Sequence, residues 1–141
     1  MNLSDKNKGI LFIALALIAV GAYLWLTSDE PENQIGRPIV VVEIPELSIV
    51  ARSGEQAFLK NCASCHGDNA AGLEGKAPPL VHRIYEPSHH GDLAFERAVK
   101  NGVRAHHWPF GNMPPVDGIT GTEIQNIILY VRELQRANEI N

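Results

Sequence analysis

The apolar positions of the chain fall into three regimes. The first is an unbroken run of 17 residues without a charge, from Ile10 to Leu26. At about 1.5 Å per residue a helix of that length spans roughly 25 Å, the short end of what a membrane crossing needs. Tyr23 and Trp25 lie near its end, where amphipathic aromatics favour the headgroup level. Lys6 and Lys8 precede the run, and Asp29, Glu30 and Glu32 follow it. Basic flanks stay cytoplasmic, so the pattern predicts residues 1–9 inside, a single-pass transmembrane anchor over 10–26 in contact with lipid, and the rest outside. The competing reading is a cleaved secretory signal, which wants a shorter apolar core and small residues at its exit. Tyr23-Leu24-Trp25-Leu26 puts large residues there, so an uncleaved anchor is expected. Either reading exports the remainder.

The second regime, residues 27–50, is punctuated by Pro31, Pro38 and Pro45 and is acidic at its start. Proline removes an amide donor and biases the preceding residue towards extended backbone. An extended linker is expected. Ile39 to Val42, Ile44, Leu47, Ile49 and Val50 are more apolar than a free tether requires. They would serve a strap packed on the following domain, or a strand added to a neighbouring subunit.

The third regime, residues 51–141, has helical periodicity. Ser53 with Gln56 fits a capping box that would start a helix carrying Ala57, Phe58 and Asn61. A short helix is expected from Asp92, its cap, to Gly102, its stop. The clearest helix runs from Thr120 to Asn138. Thr120 and Glu123 form its capping box, and Ile124, Ile127, Ile128, Val131 and Leu134 its apolar stripe, extended by Tyr130. Arg132, Glu133, Gln135 and Arg136 are expected to cover its other side. Loops rich in Gly and Pro separate these helices, at about 67–79 and 104–118.

Into this frame falls Cys62-Ala63-Ser64-Cys65-His66. Two thiols three positions apart, followed by an imidazole, read as an attachment site for a c-type haem. Each thiol can form a thioether with a porphyrin vinyl group, and His66 is then placed as an axial iron ligand. One helical turn puts the three side chains on one side. A redox dithiol is the alternative, but it wants a βαβ context that is missing and leaves His66 unused. A ligand histidine needs a partner for its other ring nitrogen, and the turn Ala77-Pro78-Pro79-Leu80 can supply one. The chain has two methionines, and Met1 lies before the anchor. A thioether sixth ligand would therefore be Met113, stiffened by Pro114 and Pro115; the alternative is a packing methionine.

The net charge of -4 argues against nucleic acid, which calls for a clustered basic surface. Two cysteines, both used by the haem, leave no disulfide framework. Besides His66 there are His82, His89, His90, His106 and His107. Imidazole suits copper or zinc, so His89, His90, His106 and His107 are a possible second metal site. Their alternatives are solvated or propionate-bonding histidines, or His106 or His107 as the sixth haem ligand. Trp108 would pack near the haem or bond a propionate.

The order of helix, C-x-x-C-H, Gly/Pro loop, short helix, Met-Pro loop and terminal amphipathic helix resembles the class I monohaem cytochrome c family, over residues 51–141. The resemblance implies an all-α cytochrome c fold around one covalent haem c, with thioethers at Cys62 and Cys65 and axial ligands His66 and Met113. It also implies that the Pro78 carbonyl accepts the His66 Nδ1 hydrogen, and that a helix bearing Gly54 and Phe58 crosses the last helix near Tyr130. With its anchor the chain is similar to membrane-attached bacterial cytochromes c. One departure is charge: residues 51–141 hold nine Lys/Arg and ten Asp/Glu, so the lysine-ringed docking face of mitochondrial members is absent.

The expected function is one-electron carriage on the periplasmic side of a bacterial inner membrane, between a quinol-oxidising complex and a terminal oxidase or other acceptor. No catalytic site of its own is expected. The alternatives are a fixed haem subunit of a larger membrane redox enzyme, and a histidine-rich copper-binding or redox-sensing module.

Overall fold

The computed structural model describes residues 13, 15–23 and 35–141. The chain divides into two compact units, Met1–Asn33 and Gln34–Asn141. In the first, residues 15–23 are helical. The expected anchor over 10–26 lies partly outside the described residues, and so do its charged flanks. Among the described residues no helix is long and apolar enough to cross a membrane.

The second unit is mostly helical. Its α-helices are α1 (Ile49–Asn61), α2 (Ala63–His66), α3 (Asp92–Asn101) and α4 (Gly121–Ala137). Short 3-10 turns span Asp68–Ala70 and Arg83–Tyr85.

Helix α1 begins a turn before the expected Ser53. Its cap is Ser48, whose hydroxyl accepts from the Ala51 amide at 3.2 Å. Glu133 on α4 fixes that cap, accepting from the Ser48 amide at 3.0 Å and its hydroxyl at 2.7 Å. Ser53 sits inside the helix and donates back to the Ile49 carbonyl at 3.3 Å. A cap anchored by a residue 85 positions away outweighs the local Ser53/Gln56 signal. Helix α3 differs in a similar way. Its N-cap is Gly91, which has no side chain to cap with, and Asp92 lies inside the first turn, its carboxylate 2.8 Å from Arg132. Helix α4 matches its sequence signature: Thr120 is the cap, the capping box with Glu123 is formed, and the helix runs to Ala137.

The core is the crossing of α1 and α4. An ideal Cβ on Gly54 would lie 1.9 Å from the Asn126 carbonyl oxygen, so the helices meet backbone to backbone there. One turn on, the Phe58 and Tyr130 rings pack with centroids 5.6 Å apart, both fully buried. Ala51, Ile127, Val131 and Leu134 complete this core, and Val99, Ile124 and Ile128 join α3 to α4. Two members of the polar face expected on α4 are instead inside, since Arg132 and Gln135 are both buried.

The apolar strap packs on its own domain. The amides of Ile39 and Val40 both donate to the Ala71 carbonyl at 3.2 Å, and the Gly36 amide to that of Glu74 at 2.9 Å. Further along, Asn138 accepts from the Glu43 amide at 2.9 Å and donates to the Glu43 carbonyl at 2.8 Å. Leu47 is buried, which explains part of the strap's apolar composition. The compact unit therefore begins at Gln34 and includes most of the extended segment.

Replacing Gly54 by Ala forces a methyl group into the Asn126 backbone and moves α1 off α4. We expect a loss of about 3 kcal/mol, measured as a lower urea midpoint in unfolding followed by circular dichroism. An unchanged midpoint contradicts the close crossing.

Candidate haem pocket

Helix α1 stops where the chemistry starts. Cys62 leaves the helical region (φ -124°, ψ -35°) while its amide still donates to the Phe58 carbonyl. The chain then makes the single turn α2, in which the amides of Cys65 and His66 both donate to the Cys62 carbonyl, at 3.1 and 2.9 Å. Gly67 ends that turn at φ 72°, in the left-handed region that favours glycine. A Cβ there would meet the Gly72 carbonyl oxygen at 2.8 Å, so the next loop folds tightly back.

His66 is buried, and its Nδ1–H donates to the Pro78 carbonyl at 2.9 Å. A carbonyl can only accept, so the proton sits on Nδ1 and Nε2 is left as the bare nitrogen. Burial lowers the His66 pKa, against the raising effect of the Pro78 bond, which favours the neutral ring. The loop that supplies Pro78 is held by hydrogen bonds from Gly72 N to His66 O (2.6 Å) and from Leu80 N to Ala70 O (2.8 Å).

No disulfide joins the two cysteines; Cys62 is half-buried and Cys65 exposed. Burial, helped by the neighbouring Cys65, pushes the Cys62 thiol up to about 11. A redox dithiol needs the opposite shift, towards a stabilised thiolate.

Met113 is placed by its backbone. Its amide donates to the Val103 carbonyl at 3.0 Å, and the Val103 amide donates back at 2.9 Å. Gly102 lies directly behind, at φ 74°, where a Cβ would come within 2.5 Å of the Met113 carbonyl oxygen. After the two prolines, Val116 N donates to Val99 O at 2.9 Å and returns the chain to α3.

Cys62, Cys65, His66 and Met113 line one cavity of about 410 Å³. Phe58, Phe95, Val99 and Ile127 are among its apolar walls. His90, His106 and His107 line it as well, whereas His89 does not. His82 plays a structural part instead. Its Nδ1 accepts from the Ile84 amide at 3.2 Å, and its ring packs edge-on against Trp108.

Trp108 also lines the cavity, and its Nε1 is, among the described residues, the one buried side-chain polar atom without a hydrogen-bond partner. The Tyr85 hydroxyl is close enough for this N–H to oppose the burial that raises the tyrosine pKa, but no well-formed bond joins them. A haem fits such a cavity. Its apolar faces match the walls, and its carboxylates would give the orphaned Trp108 N–H an acceptor.

The wall carrying Tyr85 and His90 is held from below by Arg132. Its guanidinium donates to the carbonyls of Tyr85 (2.7 Å) and His90 (2.6 Å), to Gln135 Oε1 (2.6 Å) and to Asp92. It also lies 4.8 Å from the centre of the Phe95 ring. Gln135 Nε2 donates in turn to the carbonyls of Leu80 (2.8 Å) and Tyr85 (3.0 Å). Residue type alone places Arg132 and Gln135 on the solvent side of α4 and misses this supporting role. Their spacing carries the signal, because Ile128, Arg132 and Gln135 follow each other at four and three positions along the apolar stripe.

A helical domain with a C-x-x-C-H turn opening into an apolar cavity is the arrangement of a c-type cytochrome. Residues 50–131 match the family model for cytochrome c oxidase, cbb3-type, subunit III. The cbb3-type cytochrome c oxidase subunit FixPc of Rhizobium leguminosarum bv. viciae is 31% identical over 119 residues, covering 82% of this chain and 33% of the relative. The subunit CcoP of Rubrivivax gelatinosus is 35% identical over 91 residues, 62% of this chain and 27% of the relative. The CcoP of Rhodobacter capsulatus is 45% identical over 51 residues, 36% of this chain and 16% of the relative. The chain belongs to the cbb3-type cytochrome c oxidase subunit III family of cytochromes c, and membership implies a covalent haem c. It spans a third or less of the length of these relatives.

Replacing Arg132 by Met strands buried carbonyls of the pocket wall. We expect a loss of about 3 kcal/mol in urea unfolding, far more than an exposed arginine on a helix would give. A loss below about 0.5 kcal/mol contradicts the buried network.

Proposed function

We propose that the chain is a membrane-anchored haem c electron carrier. It passes single electrons on the periplasmic side of a bacterial inner membrane, with a terminal oxidase as acceptor. The observation that carries this reading is the convergence of two free thiols, the bare Nε2 of His66 and Met113 on one apolar cavity. When bound, haem c supplies an iron that changes its charge by one.

The chain's residues do the rest. The Cys62 and Cys65 sulfurs would hold the haem through thioethers to its two vinyl groups, from the cap and the body of the turn α2. His66 offers Nε2, and its orientation is locked by the Pro78 carbonyl. Met113 offers its sulfur on a loop stiffened by Pro114 and Pro115 and paired with Val103. With the His66 nitrogen and the Met113 sulfur both supplied by the protein, oxygen and peroxide would find no open site on the iron. A thioether donor raises the potential relative to stronger donors. Apolar walls such as Phe58, Phe95 and Val99 exclude water and disfavour the more positive oxidised state. The Trp108 N–H stands as a donor for the carboxylate edge. The anchor over residues 10–26 keeps the domain at the membrane.

A second reading is a fixed subunit of an oxidase assembly, and the names of the relatives favour it. Gentle detergent solubilisation separates the two. A carrier migrates alone, and a subunit migrates with the oxidase.

Replacing Met113 by Ala should lower the midpoint potential by tens of millivolts or more, within the roughly 0.8 V range that axial ligation tunes. It should also convert the oxidised spectrum from low to high spin. If potential and spectrum are both unchanged, Met113 is a packing residue.

A further inference from the structure

Four histidines gather at the rim of the pocket, on two separate segments of chain. His89 and His90 precede α3, and His106 and His107 precede Met113. The His89 and His90 ring centroids are 4.6 Å apart, His90 and His107 5.2 Å, and His89 and His107 5.4 Å. One ring nitrogen from each of these three lies within 4.8 Å of the others. His106 stands beside the trio, 4.2 Å from the His107 centroid.

Hydrogen bonding prepares these rings as ligands. The Nδ1–H of His90 donates to the Ile84 carbonyl at 2.6 Å, which leaves its Nε2 bare. The Nδ1–H of His106 donates to the Arg104 carbonyl at 2.8 Å, with the same result. A backbone carbonyl behind an imidazole is the usual support of a metal-ligating histidine, fixing both tautomer and ring orientation. His90, His106 and His107 line the haem cavity, but the proposed haem ligation uses none of these four rings. The ring nitrogens of His89, His90 and His107 converge to within reach of a single ion.

We propose that His89, His90 and His107 form a binding site for one divalent late transition-metal ion, zinc or copper. Three neutral nitrogen donors suit these ions, whereas calcium and magnesium want oxygen. Around a tetrahedral zinc with bonds of about 2.0–2.1 Å, ligand nitrogens stand about 3.3 Å apart. The trio must therefore close by at most roughly 1.5 Å. His89 and His107 are exposed, so side-chain rotation supplies that movement without disturbing the core. The fourth position is left for water or for His106. A bound ion would join the segment before α3 to the segment that ends at Met113, and so hold the rim of the cavity together.

The test uses the full-length, haem-loaded chain in detergent, purified without a polyhistidine tag and stripped with a chelator. Zinc is titrated by calorimetry, and the melting temperature is followed with and without zinc. The site predicts one zinc per chain and a rise in melting temperature of about 5 °C at saturating zinc. The double variant His89→Ala/His107→Ala should bind about 100-fold more weakly or worse, and its melting temperature should not respond to zinc. An unchanged visible haem spectrum in the variant shows that its fold is kept. If the wild type binds no stoichiometric zinc, the site is refuted. It is equally refuted if the double variant binds zinc as tightly as the wild type. Neither result depends on which residues ligate the haem iron.

Discussion

The domain rests on one contact, the backbone approach of α1 to α4 at Gly54 and Asn126. Only a residue without a side chain permits it, and everything functional is measured from it. Phe58 lies one turn beyond and packs on Tyr130, which fixes the rotation of α1 about its axis. Cys62 follows one turn later, at the helix end. The thiols and His66 are therefore presented to the cavity at a height and angle set by a helix crossing, not by a loop.

The remaining walls hang on the same helix. Through Arg132 and Gln135, α4 grips the carbonyls of Leu80, Tyr85 and His90, and thereby the whole segment between the Pro78 turn and α3. Through Glu133 it holds the start of α1, and through Asn138 it holds the strap at Glu43. One face of α4 makes the core, while its polar residues act as struts to three separate segments. Buried charge of this kind is costly unless fully bonded. Arg132 meets that condition with four hydrogen-bond acceptors and the Phe95 ring.

The legibility of the chain follows the range of the interactions concerned. The capping box and apolar stripe of α4, and the Gly102 stop of α3, are set by residues within a turn of each other, and the structure reproduces them. The C-x-x-C-H turn and the Pro78 partner of His66 are also readable, the first from spacing and the second from a resemblance. What sequence misses depends on distant partners. The true cap Ser48 needs Glu133, the strap needs Ala71 and Asn138, and Asp92, inside the first turn of α3, bonds Arg132. Arg132 and Gln135 look solvent-facing by residue type, although their spacing continues the stripe. Residue type says what burial costs, but not whether partners exist to offset it.

We propose a domain built around one haem c bonded to Cys62 and Cys65. Intact mass spectrometry of the acid-denatured full-length chain, followed by peptide mapping, tests it most directly. The expected result is the polypeptide mass plus one haem, with the added mass confined to the peptide spanning Cys62 to His66. A bare polypeptide from cells that attach haem to other c-type cytochromes would contradict it, as would a haem that separates from the chain in acid.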